Sequence, residues 1–212
     1  MGQLVLRTVG PRKDIMRALA SLLALGLVAL PTAALAHTGH GDTAGFVHGF
    51  MHPIGGLDHV LAMVAVGVFA FVLGGRALWL VPLSFVGMMA VGFLLGTNGV
   101  TLPYAELAIA LSSVVIGGVA AMGRRMPVIA AMALVGGFAA FHGWAHGAEM
   151  PADAGALTYT LSFVAATALL HAAGIAASMG VAAMTGRYGR TIAQVAGGLF
   201  ALGGVGVLAG WL

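Results

Sequence analysis

From residue 56 onward the chain is a succession of apolar runs, at approximately 56–74, 78–96, 105–122, 127–146, 157–184 and 191–211, separated by short polar breaks. Each run approaches the ~20 residues that a helix needs to cross ~30 Å of hydrocarbon. The fifth is overlong, which predicts a tilted helix or one with an interfacial end. The connections are too short to hold a soluble domain. A shorter apolar run, "ALASLLALGLVAL", comes first. It follows Arg7, Arg12, Lys13 and Arg17 and leads into "PTAALA", with the small-x-small pattern Ala34-Leu35-Ala36. That order is the layout of a secretory signal, cleaved after Ala36. The alternative, an uncleaved anchor, needs a longer run.

The breaks between the runs orient the chain. Arg76, Arg124 with Arg125, and Arg187 with Arg190 follow the first, third and fifth runs. Every basic residue after residue 36 therefore falls in alternate loops, which the positive-inside rule makes cytoplasmic. The intervening loops carry Asp42, Glu106, Glu149 and Asp153 and no Lys or Arg. The pattern predicts an all-α membrane protein, multi-pass in a bacterial inner membrane, with six transmembrane helices and with mature N- and C-termini in the periplasm. Residues 1–36 are the signal peptide, 37–55 a periplasmic His-containing segment, and 56–212 the six-helix domain.

Composition agrees. Only 7% of residues are charged, against roughly 25% in soluble domains, so the surroundings are a lipid bilayer. The net charge of +3 is carried by the first 36 residues, because the remainder has five arginines and five acids. No nucleic-acid partner is implied. The absence of cysteine excludes disulfides and thiolate metal sites. Gly92-xxx-Gly96, Gly143-xxx-Gly147 and Gly206-xxx-Gly210 permit close helix approach, a structural role.

Against this background the ionisable residues stand out. With the predicted orientation, His48, His52, Asp58, His59, Glu106, His142, His146 and Glu149 all lie near the outer ends of their runs. His171 sits deeper, about 20 Å along the fifth helix at 1.5 Å per residue. Such residues are costly in hydrocarbon and usually face a polar path. His142 and His146, four apart in "FHGWAHGAE", share one helix face, with Glu149 the next turn on. His59 and Met63 repeat the spacing. Imidazoles beside carboxylates suit Ni, Co, Zn or Cu(II). The Pro53-Gly55-Gly56 break predicts a helix starting at Leu57 or Asp58. Asp58 offsets the positive helix terminus there and can orient His59 from behind. "HGFMH" (48–52) and "HGWAH" (142–146) echo each other. After cleavage, His37 with its free amine, together with His40, is a further candidate for metal capture. Met88, Met89, Met122 and Met132 read as packing, and Asp42 and Asp153 as solvated.

The stretches "HPIGGLDHVLAMVAVG" (52–67) and "FHGWAHGAE" (141–149) resemble the HPxxGxDHxxAMxxVG and FHGxAHGxE signatures of the HupE/UreJ group of bacterial nickel/cobalt permeases. Order, leader, six-run length and the mid-run His of the fifth segment also fit, so the resemblance covers essentially the whole mature chain. It implies secondary import of Ni(II), or in some members Co(II), through an outer-facing His/Asp/Glu vestibule. The ion is then cargo, and no prosthetic group is called for. Position by position it assigns His52, Asp58, His59 and Met63 from the first signature and His142, His146 and Glu149 from the second. Glu106 and His171 rest on depth instead. Supply to a hydrogenase or urease pathway is compatible with the resemblance, as is a homo-oligomer. The rival reading from another class is an intramembrane zinc-dependent hydrolase, with Asp58 or Glu149 as general base and Ser84 and Ser112 as residues that could in principle assist. A metal sensor ranks below both because no soluble output domain is present.

Overall fold

The computed structural model describes residues 42–152 and 154–212. The expected signal sequence, His37 with His40, and Asp153 lie outside the described residues. Among the described residues all regular structure is helical: α1 (Asp42–Gly55), α2 (Leu57–Leu73), α3 (Ala77–Thr97), α4 (Ala105–Met122), α5 (Val128–Ala148), α6 (Ala156–Thr185), a 3-10 turn (Gly186–Tyr188) and α7 (Gly189–Leu208). The helices α2 to α7 coincide closely with the six apolar runs. The last ends earlier than its run, where Gly210 turns the chain at φ +68.

Among the described residues four stretches are long and apolar enough to cross a membrane: Ala77–Thr97, Ala105–Met122, Val128–Ala148 and the joined Ala156–Leu208. Counting the pair Gly45–Gly55 and Leu57–Leu73, bent by 77°, as one span makes five. The joined stretch is not one straight rod. Gly186 adopts φ +58, and Gly189 lies so close to Ala182 that a Cβ there would overlap it. In a straight helix those two residues would be ~10 Å apart, so the chain folds back between α6 and α7.

Glycine seams set the helix directions. Gly92 faces Ala140, Gly96 faces Trp144, and Gly147 faces Phe93 and Thr97, so α3 and α5 run parallel. Gly117 faces Gly197 and Ala201, while Gly204 faces Ser113 and Val114, so α4 and α7 run antiparallel. Such contacts let backbones approach without a side chain between them. Gly67 meets the His171 carbonyl and Gly174 that of Val64, closing α2 onto α6. The core between these seams is filled by Met63, Val66, Phe69, Val81, Phe85, Met89, Val135, Tyr159 and Phe163.

The helix α1 falls within the His-containing segment 37–55, for which the sequence pattern specifies no secondary structure. Pro53 is inside it, but two residues before its end, so only one ladder hydrogen bond is lost. Gly45 packs on Ala154, and Gly49 on Tyr159 and Ser162, which seats α1 beside the start of α6. At the other end of the molecule, an Arg190 guanidinium N–H donates to the Gly123 carbonyl, 3.1 Å away, tying α7 to the end of α4.

The seams make a direct prediction. A Cβ at Gly143 would overlap the backbone carbonyl of Met89, whereas one at Gly137 meets open space. Gly143→Ala should cost about 1–3 kcal/mol, as overpacking does, and lower the melting temperature of the detergent-solubilised protein. Gly137→Ala should leave it level or slightly raised, since alanine is the better helix former. Equal behaviour of the two variants would contradict the close-contact account.

Candidate metal site

Four histidines from three helices meet at one end of the bundle. His52 comes from the last turn of α1, His59 from the first turn of α2, and His142 and His146 from successive turns near the end of α5. Ring centroids are 4.7 Å apart for His52–His146 and for His59–His142, and 5.6 Å for His52–His59 and His59–His146. His142 and His146 are fully buried and His59 nearly so. The rim is more open: His52 Nε2 stands 3.5 Å from the Glu149 carboxylate, which is exposed.

Hydrogen bonds from behind decide which imidazole nitrogens stay free. Asp58 Oδ1 accepts from the His59 backbone N–H at 2.8 Å and from His59 Nδ1 at 3.0 Å. A carboxylate can only accept, so Nδ1 carries the hydrogen and Nε2 keeps its lone pair. Ser112 does the same for His142. Its hydroxyl donates to the Ile109 carbonyl, and its oxygen lies 3.0 Å from His142 Nε2. With that proton committed, Ser112 accepts from Nε2–H and leaves the lone pair on Nδ1. The two nitrogens so freed, His59 Nε2 and His142 Nδ1, are both buried atoms without a hydrogen-bond partner. They sit on the two rings that cross at 90°.

His146 is held differently. Its ring lies parallel to Phe163, with centroids 4.4 Å apart and an interplanar angle of 3°. Stacking grips the face and leaves the edge, and both ring nitrogens are without a partner. Gly56 explains part of the local sequence: a Cβ there would stand 2.8 Å from Asp58 Oδ1 and 3.1 Å from His59 Nδ1. Only glycine lets the Asp-His pair fold back over the start of α2.

The structure thus brings together His52, Asp58, His59, His142, His146 and Glu149. Among the described residues no hydrogen bond, ion pair or ring contact joins Glu106, Met63 or His171 directly to these six. Glu106 is exposed in the first turn of α4, and among the described residues it makes no ion pair or hydrogen bond. Met63 is buried within the apolar core. His171 is buried deeper, against Phe85 at 5.0 Å, and both of its nitrogens are unpartnered. Of the two echoed motifs, the second histidines touch (His52 and His146), while His48 is exposed. Among the described residues no three His, Asp or Glu side chains stand ready-made around one metal position. Joint coordination therefore requires the rings to turn toward a common point.

Sequence reasoning named Ser112 only as an aid in the hydrolase reading and not as the partner of His142, and it missed Phe163 and Phe85 as aromatic neighbours of the imidazoles. Ser112 carried a signal, being one of two adjacent serines inside an apolar run. The phenylalanines carried none.

Comparison with known proteins places the chain. The family described as HupE / UreJ protein matches residues 23–207. Protein HupE of Rhizobium leguminosarum bv. viciae is 46% identical over 188 residues, spanning 88% of this chain and 95% of that protein. No solved structure matches.

The orientation of His59 by Asp58 is open to test by binding. Asp58→Asn keeps the volume but removes the charge and the obligate acceptor. Calorimetry on purified protein should show nickel affinity weakened about 10–100-fold, as when the partner behind a ligand is lost. Ser112→Ala should weaken it less, in the same direction, and Glu106→Gln should not change it. Wild-type affinity in Asp58→Asn would remove the pair from the site.

Proposed function

The chain belongs to the HupE/UreJ family of nickel/cobalt permeases, which are transporters and not enzymes, and we propose that it imports Ni(II), with Co(II) as second substrate, across the bacterial inner membrane. Capture occurs at His52, Asp58, His59, His142 and His146, with Glu149 at the rim. The observation that carries this assignment is the pair of lone pairs at His59 Nε2 and His142 Nδ1, buried, unpartnered and fixed from behind by Asp58 and Ser112. Nitrogen donors beside a carboxylate match a borderline divalent ion. Membership of a permease family leaves the hydrolase reading without support.

In this reading α2 to α7 each cross the bilayer once. Support comes from the reversal at Gly186–Tyr188, the parallel α3–α5 and antiparallel α4–α7 pairs, and the arginines confined to alternate connections. The histidine cluster then faces the periplasm. Transport is secondary in this reading, and the sequence offers no GxxxxGK[ST] loop for handling ATP within this chain. The membrane potential can drive it. One charge gains about 2.3 kcal/mol per 100 mV, so a divalent ion gains about 4.6 kcal/mol, or about a thousandfold accumulation.

Radiolabelled nickel uptake in bacterial cells lacking their own nickel importers tests the proposal. The wild-type chain should confer uptake that excess cobalt suppresses. His59→Ala and Asp58→Ala, inserted at equal levels, should lower the initial rate about tenfold or more, the loss of about 1.4 kcal/mol or greater. Correctly inserted wild-type protein that moves neither nickel nor cobalt would overturn it.

A further inference from the structure

One buried imidazole takes no part in the cluster just described. His171 lies at the middle of α6, fully enclosed, with both ring nitrogens unpartnered. One ring is in contact with both it and the cluster. Phe85 of α3 touches His142 at 5.5 Å between centroids and His171 at 5.0 Å, and is itself fully buried.

The surroundings form a ladder between α3 and α6. Phe163 meets Phe93 at 5.2 Å, the Thr167 hydroxyl donates to Met89 Sδ at 3.7 Å, and His171 meets Phe85 at 5.0 Å. Each step is four residues on either helix, or about 6 Å, and the two helices run in opposite directions. His146 stacks on Phe163, the first rung. His171 is therefore about 12 Å further along α6 than the ring that carries His146. At this level the α2 backbone packs directly on that of α6, since Gly67 abuts the His171 carbonyl. Phe85 is thus a side chain in ring contact with both the cluster and His171.

We propose that Phe85 is the gate of the ion pathway: its ring separates the outer imidazole cluster from an inner stop for the ion at His171, and passage requires the ring to swing aside. The proposal rests on the permease reading above. An aromatic ring is a large apolar barrier to a hydrated divalent ion, because it offers no donor atom to replace lost water. It can nonetheless change rotamer. Met89, one turn away on α3, is an unbranched side chain able to repack around a displaced ring. His171 needs no carboxylate behind it for this task. An inner stop that held the ion as firmly as the outer one would slow release.

The test is nickel entry into proteoliposomes enclosing a nickel-sensitive dye, with purified wild-type, Phe85→Ala, Phe85→Leu, Phe85→Trp and His171→Ala proteins. If Phe85 gates, the maximal rate rises about threefold or more in the Ala and Leu variants and falls by as much in Trp, with half-saturation little changed because capture lies outside the gate. His171→Ala lowers the maximal rate about tenfold, again with half-saturation little changed. Should Phe85→Ala fail to give a monodisperse protein, the order Leu above Phe above Trp decides. Lower rates in both the smaller and the larger variants would mean core packing alone and overturn the gate. An unchanged maximal rate in His171→Ala would remove the inner stop. Wild-type protein that moves no ion would instead sink the permease reading, whereas active wild type with no dependence on residue 85 sinks only the gate.

Discussion

Burying an imidazole nitrogen without a partner costs about 1–3 kcal/mol, and the described part of this bundle carries six such atoms, on His59, His142, His146 and His171. Leucine or phenylalanine would fill the same space without that penalty. The arrangement of the cluster follows from it. Asp58 and Ser112 satisfy one nitrogen each on His59 and His142, which halves the penalty on those rings. In the same act they fix the tautomer that leaves the other nitrogen basic. Phe163 supplies His146 with a face to rest on and satisfies neither nitrogen. On His59 and His142 the unpartnered atom is thus the nitrogen opposite a hydrogen bond from behind.

The close helix packing and the chemistry are written in the same residues. In "FHGWAHGAE" each histidine is followed by a glycine, and the two types recur at four-residue spacing on adjacent faces of α5. The glycines, Gly143 and Gly147, press against the backbone of α3 at Met89 and Phe93, while His142 and His146 turn to the cluster. Any side chain at the glycine positions would push α5 away from α3 and carry the imidazoles with it. The seam is thus a condition for the site as well as for stability. The same logic holds at Gly56, where the missing Cβ makes room for the Asp58–His59 pair.

Helix positions were legible because hydrophobic runs at this composition have few alternatives. α2 to α7 lie where the apolar pattern put them. Span number is less direct, since length and hydropathy alone merge α6 with α7 and pass the α1–α2 pair only as a bent unit. The helix α1 was not legible: "DTAGFVHGFMHPIG" holds three glycines and a proline, and its ordering depends on docking against α6 through Gly45 and Gly49. The histidines were legible as a group through their depth and spacing. Glu106 shows the limit of depth as an argument, because it fixes how far along a helix a residue lies but not the direction it faces. Phe85 and Phe163 were invisible for a related reason. An aromatic within an apolar run reads as core, and only its neighbours reveal that it touches an imidazole.

Under the proposed function, the ionisable partners thin out along the route. Glu149 and Asp58 flank the cluster, Asp58 is hydrogen-bonded to His59, and His171 packs on Phe85 with no hydrogen bond or ion pair to a carboxylate among the described residues. A divalent ion meets negative charge first, neutral nitrogen next, and a single imidazole last. Attraction therefore falls as the ion moves inward, which would leave it stranded at the entrance if the protein acted alone. The membrane potential supplies the opposing slope, pulling harder in total the further a double charge travels. A pathway with carboxylates at every stop would bind more tightly and release more slowly. Confining them to the entrance lets capture be selective for ions that tolerate nitrogen donors, while the field and not the ligand set carries the ion through.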